Sequence, residues 1–382
     1  MNVPVAVVGL GAAGSAIAWQ LAARGHPVMG LDRFHPPHGY GSSAGRSRII
    51  REAYWESPFY VPIVRRAYEL WAELERETQR TLLRPTGGVV IGPPAGRLIA
   101  GALGSAERHS IPVERLSASQ IRERFPFAPG EGMVGVWEPR AGALAPEQCI
   151  GAMLELAARA GADLRFDTPV LDWSASSESV ELRTSEGTLT TAVLVLAAGA
   201  WMAGPLAGTE LPLRVARQTM FWLRPRTDQA LFGPSRCPVW LWETREGAMY
   251  YGFPDLGDGP KVARHHAGQR VDPDTVDRHV SPEEAENILG FLRSAVPDLA
   301  GEVTDARVCL YTNTPDEDFI IDRHPGFPNV WVVSPCSGHG FKFAPALGEA
   351  VADLVGGKAS RFDLAPFRLG RFDGRGRSRR FP

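Results

Sequence analysis

The residues of this chain best suited to chemistry are a set of spaced glycines followed by an acid, with arginines close behind. Gly9-Leu10-Gly11-Ala12-Ala13-Gly14 is a GxGxxG turn, and Asp32 closes the next apolar run. In such a turn the first glycine permits the sharp bend, the second lets backbone approach a pyrophosphate, and the third lets a helix pack against its strand. Free N–H groups at the helix start favour phosphate, and an acid at the end of the second strand can hold ribose hydroxyls. The ligand implied is an adenine dinucleotide, either NAD or FAD. Arg46-Ser47-Arg48-Ile49-Ile50-Arg51 follows, three arginines interleaved with two isoleucines. Charge clusters are usually solvated, but this one adjoins the expected anion site, which makes Arg48 or Arg51 a candidate anion ligand. Two later junctions fit the same site. Val193-Leu194-Val195-Leu196 runs into Ala197-Ala198-Gly199-Ala200-Trp201, whose small residues would let the chain pass close to a cofactor. Val330-Trp331-Val332-Val333 runs through Ser337-Gly338-His339-Gly340 into Phe341-Lys342-Phe343 and a helical pattern, a second strand, glycine turn and helix.

The elements that must position these residues are legible from periodicity. Val3 to Val8 is a short β-branched run of the kind buried in a parallel sheet, and Pro27 to Leu31 is its partner. Between them Ala13, Ile17 and Leu21 give a helix one apolar face, closed by Gly25. Pro36 to Gly45 is too rich in turn residues for helix or strand and could wrap a cofactor. Ile63, Val64, Ala67, Leu70, Trp71 and Leu74 mark a long amphipathic helix ending near Glu77. Short β-rich runs and helical stretches alternate from Thr86 to Pro139, and Pro146 to Ala160 is again helical. Strands are expected at 163–166, 180–183 and 189–191. From Leu213 to about Val308 the pattern is antiparallel, with a helix from Pro282 to about Val296.

The chain has 382 residues, enough for about two domains, and its apolar (44%) and charged (22%) fractions are those of a globular protein. A formal net charge of −2 gives no reason to expect nucleic acid or an anionic membrane as partner. Met1 to Leu10 lacks a basic segment before its apolar run, and no apolar stretch is long enough to span a bilayer, so the expectation is a cytoplasmic protein. Cys149, Cys237, Cys309 and Cys336 are widely spaced, which suits a reducing compartment and argues against structural zinc; no metal site is expected. Beyond Phe372 the tail carries Arg375, Arg377, Arg379 and Arg380 with few apolar partners and should be poorly ordered.

These residues, taken with several longer motifs, resemble the family of monomeric sarcosine oxidase and the N-methyltryptophan and pipecolate oxidases, among the D-amino-acid-oxidase-like flavoenzymes. The carriers are the GxGxxG turn, Pro36-Pro37-His38 with Gly41-Ser42, Arg48-Ile49-Ile50-Arg51, Tyr250-Tyr251-Gly252-Phe253-Pro254, Lys261 with His265, Val308-Cys309-Leu310-Tyr311-Thr312, Asp318-Phe319-Ile320-Ile321-Asp322 and Ser337 to Phe343. The resemblance covers nearly the whole chain. It implies FAD rather than NAD and an α/β fold, α+β overall: a Rossmann-like FAD-binding domain from 1–82, 146–212 and 306–382, and a mostly antiparallel substrate domain from 83–145 and 213–305.

The resemblance also assigns roles. Cys309 matches a cysteine that forms a thioether to the flavin 8-methyl carbon, an attack by thiolate that nearby positive charge would promote. Lys261 matches a lysine near the flavin N5 edge that assists reaction with oxygen, where a cation stabilises the superoxide formed first. His265 matches a residue of the substrate cavity, and Tyr251 joins Lys261, His265 and Arg48 in the catalytic set. Arg51 and Lys342 match the substrate-carboxylate ligands, with Tyr311 and Gly338 also against the substrate. Gly9, Gly11, Gly14, Asp32, Arg33, Ser42, Ser43, Arg48, Ala198, Gly199, Trp201, Cys309, Gly338, His339, Gly340 and Lys342 are expected at the cofactor. The Gly338-His339-Gly340 turn matches the segment whose helix dipole faces the flavin pyrimidine ring. Two departures stand out: Ser43-Ala44 replaces the paired histidines frequent in the family, and Arg46 replaces an acid. The implied function is oxidation of a secondary amino acid, sarcosine foremost, to glycine and formaldehyde with hydrogen peroxide. The alternatives are N-methyltryptophan, pipecolate or proline as substrate, or a dehydrogenase of the same fold. Small amino acid and oxygen are the implied partners, and the implied state is a monomer.

Overall fold

Val5–Val8 and Val28–Leu31, the apolar runs either side of the GxGxxG turn, pair in parallel at the centre of a six-stranded sheet. The computed structural model describes residues 4–204 and 207–372; the arginine-rich tail beyond Phe372 lies outside the described residues. Across this sheet the order is Ile320–His324, Phe327–Ser334, Val193–Leu196, Val5–Val8, Val28–Leu31, Asp163–Arg165. All neighbours are parallel except the first pair. The β-branched runs fit because both faces of a parallel sheet are covered.

Helix Ala12–Ala23 was expected to bury one face, yet every residue from Gly14 to Ala22 is buried. It is packed between helices Pro146–Arg159 and Ala344–Val355, so no face reaches solvent. The approach is close: a side chain at Gly348 would lie 2.7 Å from the Ala16 backbone. The long helix, Val61–Thr78, has the amphipathic face that the sequence announces, with Ile63, Val64, Ala67, Leu70, Trp71 and Leu74 buried.

The second sheet has eight strands in the order Glu302–Asn313, Arg214–Arg224, Lys261–His265, Met249–Phe253, Val239–Glu243, Gly88–Gly92, Val134–Glu138, Glu114–Ser117. One pairing departs from the antiparallel expectation, because Val239–Glu243 lies parallel to Gly88–Gly92. Those strands come from distant parts of the chain and meet without a hairpin, which is what parallel pairing requires. The outer face of the sheet packs Phe221, Trp240, Trp242 and Val262 against Ile288 and Leu292 of helix Pro282–Ala295. Ser281 and Glu284 form a capping box at that helix's start.

Strand pairing decides what the inner face carries. Gln218 is opposite Cys309 and Ala216 opposite Tyr311; Trp222 is opposite Lys261; Phe253, Tyr251 and Met249 are opposite Lys261, Ala263 and His265. Opposed residues share a face and alternate residues repeat it. Cys309, Tyr311, Lys261, His265 and Tyr251 therefore project from one side of this sheet.

The boundaries expected between two domains do not coincide with sheet edges. Residue 306 falls inside Glu302–Asn313, which pairs with Arg214–Arg224 along its length. Arg48–Ile50 pairs with Gly142–Leu144, and Leu83–Arg84 completes that small sheet, joining segments assigned to different halves. A meander of Val170–Ala175, Val180–Thr184 and Gly187–Thr191 includes a first strand that the sequence pattern did not mark.

Candidate active site

A single cavity of about 920 Å³ extends from the GxGxxG turn to the inner face of the eight-stranded sheet. At the turn, Gly9 has φ +90°, and a side chain there would meet the Ala198 backbone at 2.6 Å. A side chain at Gly14 would lie 1.7 Å from the Gly9 carbonyl oxygen, so the strand and helix can meet only with glycine there. Gly9, Gly11, Ala12 and Ala13 line the cavity, whereas Gly14 does not; its task is packing. Gly11 caps the helix with no side-chain hydrogen bond, which leaves the helix N-terminus open to an anion.

Asp32 is buried at the cavity wall, where its carboxylate accepts from the backbone N–H of Leu10 at 2.6 Å and of Phe34 at 2.8 Å. It therefore braces the turn from the cavity wall. Arg33 lies half-exposed at the rim, paired with Asp274 at 2.5 Å, and Trp201 Nε1 donates to the same carboxylate at 2.9 Å. Ser42, Ser43, Ala198 and Gly199 complete this end, and Ser43 Oγ accepts from the Ala12 N–H at 3.3 Å.

The donor set fits an adenine dinucleotide on observations of this chain. The helix start has no cap from Gly11 and only the long Ser43 contact to Ala12, the glycines leave room only for backbone, and two buried hydroxyls on the cavity wall, Ser42 Oγ and Thr312 Oγ1, have no protein partner. Buried polar atoms are ordinarily satisfied, so these await a ligand or water.

At the far end the predicted chemistry-bearing residues converge. Arg51 is buried over the ring of Tyr54, 4.2 Å from its centroid, and Lys342 Nζ is 5.2 Å from the same ring. Arg51 also meets Glu56 through both carboxylate oxygens at 2.8 and 2.6 Å, and donates to the Ala53 carbonyl at 3.0 Å. Lys342 Nζ donates to the His339 carbonyl at 2.7 Å and to Tyr54 Oη at 3.4 Å. Burial, followed by the charge of Arg51, lowers the Lys342 pKa to about 7. Burial alone would raise the Glu56 carboxyl, but Arg51, His339 and Lys342 outweigh it and hold Glu56 below its ordinary value. Lys342 lies in a 3₁₀ turn, Phe341–Phe343, and the helix proper starts only at Ala344, later than the glycine pattern suggests.

Gly338, His339 and Gly340 line the cavity. Gly338 has φ +78°, and a side chain there would strike the Tyr311 ring at 2.4 Å. Tyr311, Tyr251 and His265 form the aromatic wall, with His265 Nδ1 3.3 Å from Tyr311 Oη. Burial and the neighbouring His266 hold His265 well below its ordinary pKa, so its imidazole is neutral. Burial pushes the Tyr251 phenol up to about 12.

Cys309 lies on the wall between these two ends, buried among Met220, Trp222 and Tyr311. Arg48 and Lys261 favour its thiolate, as the sequence argument wanted, but burial outweighs them and raises the thiol pKa. Arg48 reaches the cavity, yet three of its guanidinium donors are taken by carbonyls, those of Ser47 at 2.8 Å, Ser42 at 2.7 Å and Ala44. Lys261 is the one expected catalytic residue that does not line the cavity. Its buried ammonium donates to the Gly45 and Ser47 carbonyls, each at 2.7 Å, beside Arg48. Burial and then Arg48 lower its pKa well below the usual lysine value.

Glu56, Tyr54 and Trp55 also take part in this end of the site and were missed in the sequence. An acid five residues beyond a candidate anion-binding arginine was the available signal for Glu56. Among the described residues no cluster of His, Cys, Asp and Glu could hold a metal, and no helix is long and apolar enough to cross a membrane.

Comparison with known proteins agrees with this geometry. The family model for FAD dependent oxidoreductases matches residues 4–354. Monomeric sarcosine oxidase of Streptomyces avermitilis is 44% identical over 357 residues, covering 92% of this chain and 93% of that protein. N-methyl-L-tryptophan oxidase of Salmonella heidelberg is 36% identical over 376 residues, covering 97% and 100%. The solved structure of NikD, described as an unusual amino acid oxidase, superposes with a TM-score of 0.84 at 24% identity, covering 96% and 97%, a likeness of fold. The nucleotide turn and every residue lining the cavity fall within the span that model matches, and the chain belongs to the FAD dependent oxidoreductase family.

Proposed function

We propose that this protein oxidises secondary α-amino acids, with N-methylglycine as the principal substrate, so that amine, oxygen and water become the primary amino acid, an aldehyde (formaldehyde from N-methylglycine) and hydrogen peroxide. The observation that carries this reading is the meeting of Arg51 and Lys342 over Tyr54 at the end of the cavity away from the nucleotide turn. Two buried cations there suit one carboxylate, as a planar fork and a point charge. Glu56 is the internal stand-in for that carboxylate, accepting from Arg51 Nη2 with both oxygens until substrate replaces it. The amine must be unprotonated to give up a hydride, and the charges of Arg51 and Lys342 disfavour its ammonium form. His265, held neutral, and Tyr311 present an uncharged polar edge to the amine. When bound, FAD would supply the hydride acceptor and the route by which the electrons reach oxygen. In this reading Cys309 tethers the cofactor, Lys261 serves the oxygen reaction, Tyr251 packs the substrate face, and the protein works as a monomer. The four free cysteines suit the reducing cytosol.

The test is a screen of N-methyl and cyclic amino acids with peroxide detection, followed by Arg51→Ala and Lys342→Ala. Each truncation removes a charge-assisted bond worth roughly 1.5 to 3 kcal/mol, about ten- to a hundredfold in affinity. Sarcosine and methylthioacetate should both bind more weakly while a neutral amide analogue is barely affected. Equal loss for acid and amide, or no peroxide from any such amine, would overturn the reading.

A further inference from the structure

Glu138 is a buried carboxylate with no role in the chemistry described above. It ends strand Val134–Glu138 of the eight-stranded sheet, is 4% exposed, and does not line the cavity. Its two oxygens accept from two consecutive backbone amides, Glu52 N–H at 2.7 Å and Ala53 N–H at 2.9 Å. Those residues immediately follow Arg51, and Ala53 returns the grip by accepting from Arg51 Nη1 at 3.0 Å. The Glu52 side chain, itself buried, is pinned as well, by Arg65 at 2.8 Å and by Arg140. A carboxylate taken out of water needs strong compensation, and two amide donors supply it in a geometry that freezes the peptide between them. Burial pushes the Glu138 carboxyl upward against those two hydrogen bonds and the Arg51 charge.

We propose that Glu138 is a positioning residue, acting through the 52–53 backbone to hold Arg51 in place when Glu56 leaves it for substrate. This rests on the carboxylate-binding reading of Arg51. Residues on the two sides of Arg51's guanidinium differ in how they are held. Ala53 is fixed to the sheet through Glu138, whereas Glu56 lies in the turn that leads into the Pro58–Tyr60 3₁₀ helix and meets Arg51 only through its side chain. When an incoming carboxylate competes for Arg51, the Glu56 contact is the one that gives way. The Glu138 clamp keeps the guanidinium aimed at the cavity, so no reordering of Arg51 opposes binding.

Two measurements test this. Glu138→Gln keeps the shape but turns one acceptor into an NH₂ group facing an N–H. The expected result is about a tenfold rise in KM for sarcosine and in the Kd of methylthioacetate, with kcat changed less than about twofold. Flavin content, visible spectrum and affinity for the neutral amide analogue should stay as in the wild type. Equal weakening of acid and amide, or an unchanged Kd accompanied only by a lower Tm, would make Glu138 merely structural and overturn the proposal. The second measurement uses the unmodified holoenzyme, so it stands even if the variant does not fold. Amide hydrogen exchange at Glu52 and Ala53 should be slow and unaltered by methylthioacetate, while exchange at residues 55–57 changes on binding. Fast exchange at 52–53, or an equal response in both segments, would overturn the clamp. If the wild type binds no carboxylate at all, the reading of Arg51 fails instead, and the two failures are told apart.

Discussion

At Lys342 the ammonium carries its charge only below a pKa of about 7, because burial and Arg51 both oppose it. A bound carboxylate favours the charged form, so it raises that pKa, and above pH 7 binding must take up a proton. Affinity for methylthioacetate should therefore fall as pH rises above 7, by up to about tenfold per unit. Titrating the flavin spectrum with the inhibitor across that range measures it, and Lys342→Met should flatten the profile; a flat wild-type profile contradicts the assignment. Lys261 is likewise lowered, by burial and then Arg48, so its charge is lost at a lower pH than an ordinary lysine's. If that charge serves the oxygen reaction, reoxidation should slow as pH rises, and Lys261→Met should slow it far more than reduction by substrate. Stopped-flow measurement of the two half-reactions decides, and an equal loss in both would remove the oxygen-specific role. Cys309 has the opposite problem, a buried thiol whose pKa is raised despite Arg48 and Lys261. Covalent attachment requires its thiolate, so uptake of FAD into acid-stable form should accelerate with pH. Wild-type protein precipitated with acid should stay yellow and Cys309→Ser should release its colour; colourless wild-type precipitate would rule out the thioether.

Among the elements, the GxGxxG turn is the least tolerant of change. A methyl group on Gly14 would sit 1.7 Å from the Gly9 carbonyl, and no flexible side chain is there to yield. Gly14→Ala must separate strand Val5–Val8 from helix Ala12–Ala23, which packs on two other helices. The expected outcome is loss of FAD binding, or no folded protein at all; wild-type flavin content in the variant would show that the turn is not the pyrophosphate cradle. Gly11 has more room, with only Ser43 Oγ at 3.3 Å, so Gly11→Ala should fold while binding FAD more weakly, as read by fluorescence of the released flavin. The two glycines thus separate packing from cofactor approach, a distinction that the motif alone does not make.

Over the whole molecule, the cavity lies between the two large sheets and the short strand Arg48–Ile50 with Arg51 at its end, so the cofactor belongs to the core of the folded state. Apoprotein of Cys309→Ser should gain about 2.7 kcal/mol of stability at FAD a hundredfold above its Kd, seen as a rise in Tm. An unchanged Tm would mean that FAD does not fill this space. What the sequence by itself determined is local: the nucleotide turn, the long helix, most strands, and the identity of the residues matched by the family pattern. Those signals need only a few neighbouring residues, because period and glycine spacing express backbone geometry. It also announced, through matched motifs, that Cys309, Lys261, His265 and Arg51 belong together. Only the tertiary structure decided how they meet. Strand register places Cys309, Tyr311, Lys261, His265 and Tyr251 on one face, and register is a relation between segments far apart in the chain. Helix Ala12–Ala23 is buried on all sides because two helices from remote segments close over it. Glu56 occupies Arg51, and Glu138 fixes the backbone beside it, through contacts spanning from five to more than eighty residues. The three lowered or raised pKa values at Lys342, Lys261 and Cys309 follow from burial, a property of the assembled core that no isolated stretch of sequence possesses.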